Sequence, residues 1–348
     1  MPKVATKLKK RINDSYRINI EKNVSRKIPE FLKETELGVK YAIITDTIVE
    51  KLFTKKLQNA LKRNGIKSEI FTIKKGETSK TLKTVEEVAI KMIEKGIDRH
   101  DAVIAVGGGV VGDIAGFIAA IYMRGIPYIQ VPTTILAMVD SSIGGKTGVD
   151  LPVGKNLIGT ITQPKAVFID TTYLKGLPDK QVKSGLAEII KYGVIKSKKL
   201  FKYIEKNLDL ILKKDEETLT YIIKESVRIK TKIVEKDEKE GNLRMILNYG
   251  HTYGHALERL SGYKLLHGYA VSIGMVIMNK IAVEKGLLKQ KHADRIKTLL
   301  NNAGLPITTI KTPTKKQLLG DKKKQGDYIS FVLPTKIGKA VIQPEKCL

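Results

Sequence analysis

Short apolar runs alternate with longer amphipathic stretches through the first half of the chain. KYAIITD, residues 40 to 46, reads as a strand, and IVEKLFTKKLQNALKRNG behind it repeats its apolar positions at helical spacing. IKSEIFTI predicts another strand, followed by a helix from about Ser79 to Gly96. DAVIAVGGG is the clearest strand of all, and PYIQV and AVFID (166 to 170) continue the series. Strands alternating with helices point to a parallel sheet joined by crossover helices. From about Thr171 the rhythm changes: QVKSGLAEIIKYGVI, LFKYIEKNLDLILKK, TYIIKESVRIKTKIVEKDE and YAVSIGMVIMNKIAVEKG all carry helical periodicity. Only YISFVLPTKIGKAVI, near the end, reads as a strand pair. The pattern predicts an α/β parallel-sheet domain over residues 1–170 and a mainly α-helical domain over 171–348, without internal repeats.

Composition adjusts this picture in a few places. At 348 residues two domains are the default, and 42% hydrophobic residues suffice to fill both. No window has the apolar length of a membrane span, and the basic start MPKVATKLKKRIND lacks a signal peptide's apolar segment, so a cytoplasmic protein without a membrane partner is expected. Cys347, the one cysteine, has no internal disulfide partner, which argues against thiol redox chemistry. Lysine plus arginine outnumber aspartate plus glutamate by 63 to 36, a formal +27, and such a field attracts phosphorylated metabolites and nucleic acid alike. In LKKDEETL, EKDEKEGN and DKKKQGD the bases are mixed with acids, without interleaved aromatics or a zinc-finger pattern. No nucleic-acid partner is therefore expected, and the charge biases the substrate toward acidity.

AVGGGVVGDIAG, residues 105 to 116, puts glycines at a strand end with Gly112 opening the next helix. Glycine admits a pyrophosphate close to the backbone, and free amides at a helix start face its charge. A ligand-free tight turn is the alternative, because no acid follows at the spacing of the usual dinucleotide fingerprint. Asp113 either satisfies first-turn amides or bonds a cofactor. GGKTG, residues 144 to 148, fails as a nucleotide-triphosphate loop, since Asp140 stands where that motif needs its first glycine. Lys146 remains as a cation in a glycine-rich loop. Lys155 and Asn156 in PVGKNLIG, and Arg124 in YMRGIP, are further donors of the kind phosphate and carboxylate attract.

NYGHTYGHALE, residues 248 to 258, sets His251 and His255 four apart, on one face if the segment is helical. Thr252 stands where a zincin has its glutamate, which removes the peptidase reading. The two histidines share a metal or form a hydrogen-bonded core pair. Catalytic zinc commonly takes three protein ligands, so a carboxylate is wanted. Glu188, an isolated acid amid small and apolar residues in SGLAEIIKYG, pairs with a metal or with Lys191 on the same helical face. His267 is a third candidate, while His100 and His292 sit in charged surroundings that suit a surface. Arg244 and Asn248, just before the histidines, and Lys230 either face the same cavity or lie in solvent.

Taken in order, GGGVVGDIAGFIAAIYMRGI, VPTTILAMVDSSIGGKTGVDLPVGKNLIG, SGLAEIIKYG, LNYGHTYGHALE and LLHGYAVSIGM closely resemble the 3-dehydroquinate synthase family, over nearly the whole chain. The resemblance implies a Rossmann-like N-terminal domain that binds NAD, a mainly helical C-terminal domain, a site between them and a homodimer. It implies Glu188, His251 and His267 as ligands of zinc or cobalt, with His255 a non-ligand histidine beside the reacting groups. Gly108, Gly109, Val110, Asp113, Thr133, Thr134 and Asp140 match cofactor-side positions, with Asp46, Lys155, Glu77 and Lys80. Arg124, Lys146, Asn156, Lys191, Lys230, Arg244 and Asn248 match substrate-side positions, one of them reaching across from a partner subunit. A further phosphate-side lysine falls in GDKKKQG, placed at Lys323.

The implied substrate is a phosphorylated acidic sugar, 3-deoxy-D-arabino-heptulosonate 7-phosphate. Transient oxidation at C5 by NAD, phosphate elimination, re-reduction, ring opening and aldol closure give 3-dehydroquinate. The chain departs from the family pattern at Ile161, at Lys180 and Gln181, and at Gly176, where a threonine often touches the cofactor. A sister sugar-phosphate cyclase and a metal-dependent polyol dehydrogenase are the rival readings.

Overall fold

The computed structural model describes residues 13–310, 313–314, 317–318, 324–325 and 328–346; Lys323 and Cys347 lie outside the described residues. The first half carries strands β1 (Arg17–Glu21), β2 (Lys40–Asp46), β3 (Lys67–Ile73), β4 (Ala102–Gly107), β5 (Tyr128–Pro132), β6 (Lys146–Leu151), β7 (Gly154–Ile161) and β8 (Ala166–Asp170). Among them run helices α1 (Ile28–Thr35), α2 (Lys55–Arg63), α3 (Leu82–Glu94) and α4 (Gly109–Ile121). Six strands pair in parallel in the order β1-β8-β5-β4-β2-β3. Every residue of AVIAVG in β4 is buried, which is why that strand reads as an unbroken apolar run rather than an alternating one.

The strand order reverses beside β2. From there β3 lies outward on one side, while β4, β5 and β8 continue on the other. Such a switch opens a crevice at the carboxyl ends of the flanking strands, here at Asp46 and Gly107. Strand β1 escapes the hydrophobic pattern because RINIE is a half-exposed edge strand with polar alternate positions.

The glycine-rich loops expected around Lys146, Lys155 and Asn156 are instead an antiparallel hairpin, β6 against β7. Its glycines serve strand approach. A Cβ on Gly148 would meet the Ile158 carbonyl at 2.4 Å, and one on Gly159 the Thr147 carbonyl at 2.2 Å.

The second half is helical, with α5 (Asp179–Ile195), α6 (Lys198–Lys206), α7 (Leu208–Leu212), α8 (Glu216–Val234), α9 (His251–Leu260), α10 (His267–Glu284) and α11 (Gln290–Asn302). LFKYIEKNLDLILKK is two helices rather than one, because the backbone of Asn207 leaves the helical region at φ −115°, ψ 22°. Strands β9 (Lys324–Gln325), β10 (Tyr328–Lys336) and β11 (Lys339–Lys346) form a small antiparallel sheet, as the terminal strand-pair pattern predicts. One face of the large sheet packs with α4 into its own core. The other face merges with the helical half, so that Ile43, Ile104, Leu186, Ile190 and Met275 belong to one continuous apolar cluster. This shared core holds the crevice and the helical half in fixed register.

Candidate functional site

At the end of β4 the chain passes straight into α4: Gly108 is extended, and Gly109 is already helical. The helix thus starts earlier than the expected opening at Gly112, and its first amides face the crevice. Beside them the chain after β5 returns, with the Thr133 amide donating to the Gly107 carbonyl at 2.9 Å. Thr134 Oγ1 caps the next turn by accepting from the Ala137 amide. Thr133 Oγ1 is buried without a hydrogen-bond partner in the protein, as suits an atom that bonds a cofactor's polar group. Val110 is half-buried in the first turn of α4. Asp46, at the end of β2, accepts the amides of Ile48 and Val49 and so shapes its own turn.

Asp113 meets Lys80, whose Nζ donates to Asp113 Oδ2 and to Asn156 Oδ1, both at 2.5 Å. Burial alone would lower the Lys80 pKa, but Asp113, Glu77 and Asp150 outweigh it and hold the ammonium above its ordinary range. Lys155 of β7 lies 3.0 Å from Glu77 Oε1 and 3.1 Å from Glu258 Oε1. The hairpin therefore ties the sheet's crevice to α9.

On the helical side Glu188 is fully buried in α5, with neither carboxylate oxygen in a well-formed hydrogen bond. Lys191, also buried, contacts its Oε2. His251 Nε2 stands 3.4 Å and His267 Nε2 3.3 Å from Glu188 Oε1. One oxygen and two imidazole nitrogens within 4.8 Å of one another form a donor set that fits zinc or cobalt and leaves a fourth position open. His255 lies outside this trio, its ring 5.4 Å from that of His251 and 6.1 Å from that of His267. The pairing of His267 with α5 depends on close helix contact. A Cβ on Gly268 would lie 1.9 Å from the Ser184 carbonyl.

Beyond Lys191, further cations are paired with other groups of the site. Lys230 Nζ bonds Asp140 Oδ1 at 2.6 Å and the Asp140 carbonyl at 2.5 Å, and Tyr192 OH also donates to Asp140 Oδ1. Burial, aided by Arg244 and Lys191, holds the Lys230 pKa below its ordinary value against the pull of Asp140. Asp140 sits in a π-helical turn, Ala137–Ser141, between the glycine turn and the metal-type cluster. Arg244 is buried and donates to the carbonyls of Gly144 and Glu238. Lys146 pairs with Glu240, which also accepts from Asn248 Nδ2 at 2.7 Å. Glu240, Glu258, Asp150 and Tyr192 are members that the sequence reading did not single out. Of these only Glu258 carried a visible signal, lying on the face of α9 that holds His251 and His255.

Arg124 is not brought to this cluster. It is exposed just past the far end of α4, whose 13 residues carry it about 20 Å from the glycine turn.

Two family models match consecutive stretches, the 3-dehydroquinate synthase N-terminal region over residues 70–184 and its C-terminal region over 185–325. The chain belongs to the 3-dehydroquinate synthase family. A 3-dehydroquinate synthase of Prochlorococcus marinus subsp. pastoris is 47% identical over 340 residues, spanning 95% of this chain and 93% of the relative. Among solved structures, a 2-deoxy-scyllo-inosose synthase complexed with carbaglucose-6-phosphate, NAD+ and Co2+ is similar with a TM-score of 0.86 at 28% identity, covering 95% of this chain and 94% of that one. ValA, the 2-epi-5-epi-valiolone synthase of Streptomyces hygroscopicus subsp. jinggangensis with NAD+ and Zn2+ bound, has a TM-score of 0.86 at 27% identity, covering 98% and 95%. The expected architecture, a parallel-sheet half followed by a mainly helical half, is that of this family.

Proposed function

We propose that the chain is a 3-dehydroquinate synthase, which converts 3-deoxy-D-arabino-heptulosonate 7-phosphate to 3-dehydroquinate and phosphate with NAD and zinc or cobalt. The observation that carries this reading is the Glu188, His251 and His267 trio, with Lys191 on Glu188 and with Lys230 and Arg244 buried in the same part of the fold, beside the glycine turn of a dinucleotide-type sheet. Gly108, Gly109, Val110, Thr133 and Thr134 line that turn and would hold NAD, with Asp46, Glu77, Lys80, Asp113, Asp140 and Lys155 around it. When bound, NAD supplies a reversible hydride acceptor and the metal a Lewis acid for the substrate's oxygens. Arg244, now resting on the carbonyls of Gly144 and Glu238, takes the substrate carboxylate. Lys146, Asn156, Lys191, Lys230 and Asn248 hold the sugar oxygens and the phosphate, joined by Lys323. His255, outside the metal trio, moves a proton at one of its ring nitrogens.

The same reading divides the chain into an NAD-binding part over 1–170 and a metal- and substrate-binding part over 171–348. It makes the protein a cytoplasmic homodimer. Support for pairing comes from the far end of α4, where Ile121 and Met123 are 48% and 41% exposed beside Arg124. Arg124 then serves the neighbouring subunit's site. Among the described residues no helix is long and apolar enough to cross a membrane.

The test measures phosphate and 3-dehydroquinate together, from the heptulosonate phosphate with catalytic NAD and added zinc. Equal yields of the two, lost on chelation and restored by metal, are expected. No product from folded, metal-loaded protein would sink the reading. A sister cyclase acting on a sugar phosphate without a carboxylate is the second reading, favoured by the similarity to the inosose and valiolone synthases. The higher identity to the Prochlorococcus relative and the buried Arg244 weigh against it.

A further inference from the structure

Glu258 is 3% exposed, and a buried carboxylate is costly unless both oxygens find partners. Here they find two from different parts of the fold. Oε1 accepts from Lys155 Nζ at 3.1 Å, and Oε2 lies 3.3 Å from His267 Nδ1. The carboxylate is held from behind as well, since its backbone carbonyl accepts from the Ser261 hydroxyl and the Tyr263 amide at the end of α9. His267 thereby spends Nδ1 on Glu258 and presents Nε2 toward Glu188. His251 is arranged by the same logic with a different partner, its Nδ1 lying 3.1 Å from the Tyr249 carbonyl and its Nε2 facing Glu188. A histidine that donates from one nitrogen keeps the lone pair of the other for a metal.

We infer that Glu258 is a positioning residue that fixes the Nδ1–H form of His267, so that Nε2 addresses the metal, and that Lys155 braces this carboxylate from the cofactor-side hairpin. The inference rests on the proposed metal trio and adds its orienting partner. It also gives Lys155 two duties. Its ammonium lies between Glu77, in the turn after β3, and Glu258, so one cation links the cofactor side to a metal ligand. Glu258 itself stays outside the coordination shell in this arrangement, although with His255 and His267 it belongs to a second acid-histidine group.

Cobalt titration of the metal-free full chain tests this, followed by the visible d–d absorption of bound Co2+ and by competition with a chelator. Glu258→Gln keeps the shape and removes the charge. With the competing His267 proton separated out by titrating at several pH values, it is expected to weaken Co2+ binding about 10- to 100-fold while leaving the absorption bands at saturation as in the parent. Bands of different shape would make Glu258 a ligand and overturn the inference, and so would an unchanged Kd. His267→Ala is the control for the trio: if the parent takes up Co2+ equally well with and without His267, the metal reading itself fails. A measurement on the unmodified protein stands beside the variant, in case the variant does not fold. Long-range proton–nitrogen NMR of the zinc-loaded parent should show His267 protonated at Nδ1 and metal-bound at Nε2. The reverse assignment would overturn the inference.

Discussion

His267 lies between two carboxylates, and the consequence is a proton. Burial alone would lower its pKa, but Glu258 and then Glu188 outweigh burial and raise it from 6.5 to about 10 in the metal-free protein. A metal needs the neutral ring. Near pH 7 each metal bound should therefore displace about one proton, and affinity should climb roughly tenfold per pH unit toward pH 10. Calorimetric titration in buffers of different ionisation enthalpy reads the proton directly; none released would remove His267 from the ligand set or its proton from the metal-free state. The same shift has a sign for stability. A raised folded-state pKa contributes stability that is complete below pH 6.5 and lost as pH rises through about 10, so the metal-free melting temperature should fall over that window and His267→Gln should flatten the decline. At this scale the sequence was informative within one helix. His251 and His255 share a face of α9 by spacing alone, as does Glu258. Their meeting with Glu188 was not legible from spacing, because α5 and α10 are far apart in the chain and local pattern carries no distance between them.

Elements were legible where burial was uniform or cleanly periodic. Strands β2 and β8 run over the residues that KYAIITD and AVFID mark, since both are buried in a parallel sheet. Strand β1 and the β6–β7 hairpin were not, the first because an edge strand keeps polar positions, the second because paired glycines look like loop. Helix contact decides the metal-type cluster. In Gly268→Ala the new methyl meets the Ser184 carbonyl, which pushes the start of α10 away from α5 and draws His267 off Glu188. The expected cost is about 1 to 3 kcal/mol of stability, together with a weaker metal Kd, read by thermal melting and by metal titration. A variant with parental stability and affinity would show that α10 seats itself without this contact.

For the whole molecule, the proposed pairing of two copies turns on one exposed arginine. Arg124 stands past the far end of α4 from the crevice, and in the proposed homodimer it would complete the neighbouring subunit's site. Arg124→Ala and Lys230→Ala should each be nearly inactive alone. After mixing and subunit exchange, about a quarter of parental activity should return, from the one intact site in each mixed dimer. No recovery in exchanged dimers would place Arg124 in its own chain's site, and full activity of Arg124→Ala alone would place it outside the reaction. The +27 charge acts at the same scale, as a field that favours anionic substrates without naming one.

The amino-acid sequence alone determined the order of sheet and helices and the residue types of the chemistry, because hydrophobic period and glycine placement are local properties of a chain. It also set His251 and His255 on one face. Only the tertiary structure decided that Glu188, His251 and His267 converge, that Glu258 joins them, that Glu240 meets Lys146 and Asn248, that Lys155 spans the two sides, and that Arg124 stands past the far end of α4 from the crevice. Those are distances between elements, and they follow from how α5, α9 and α10 pack against one another and against the sheet.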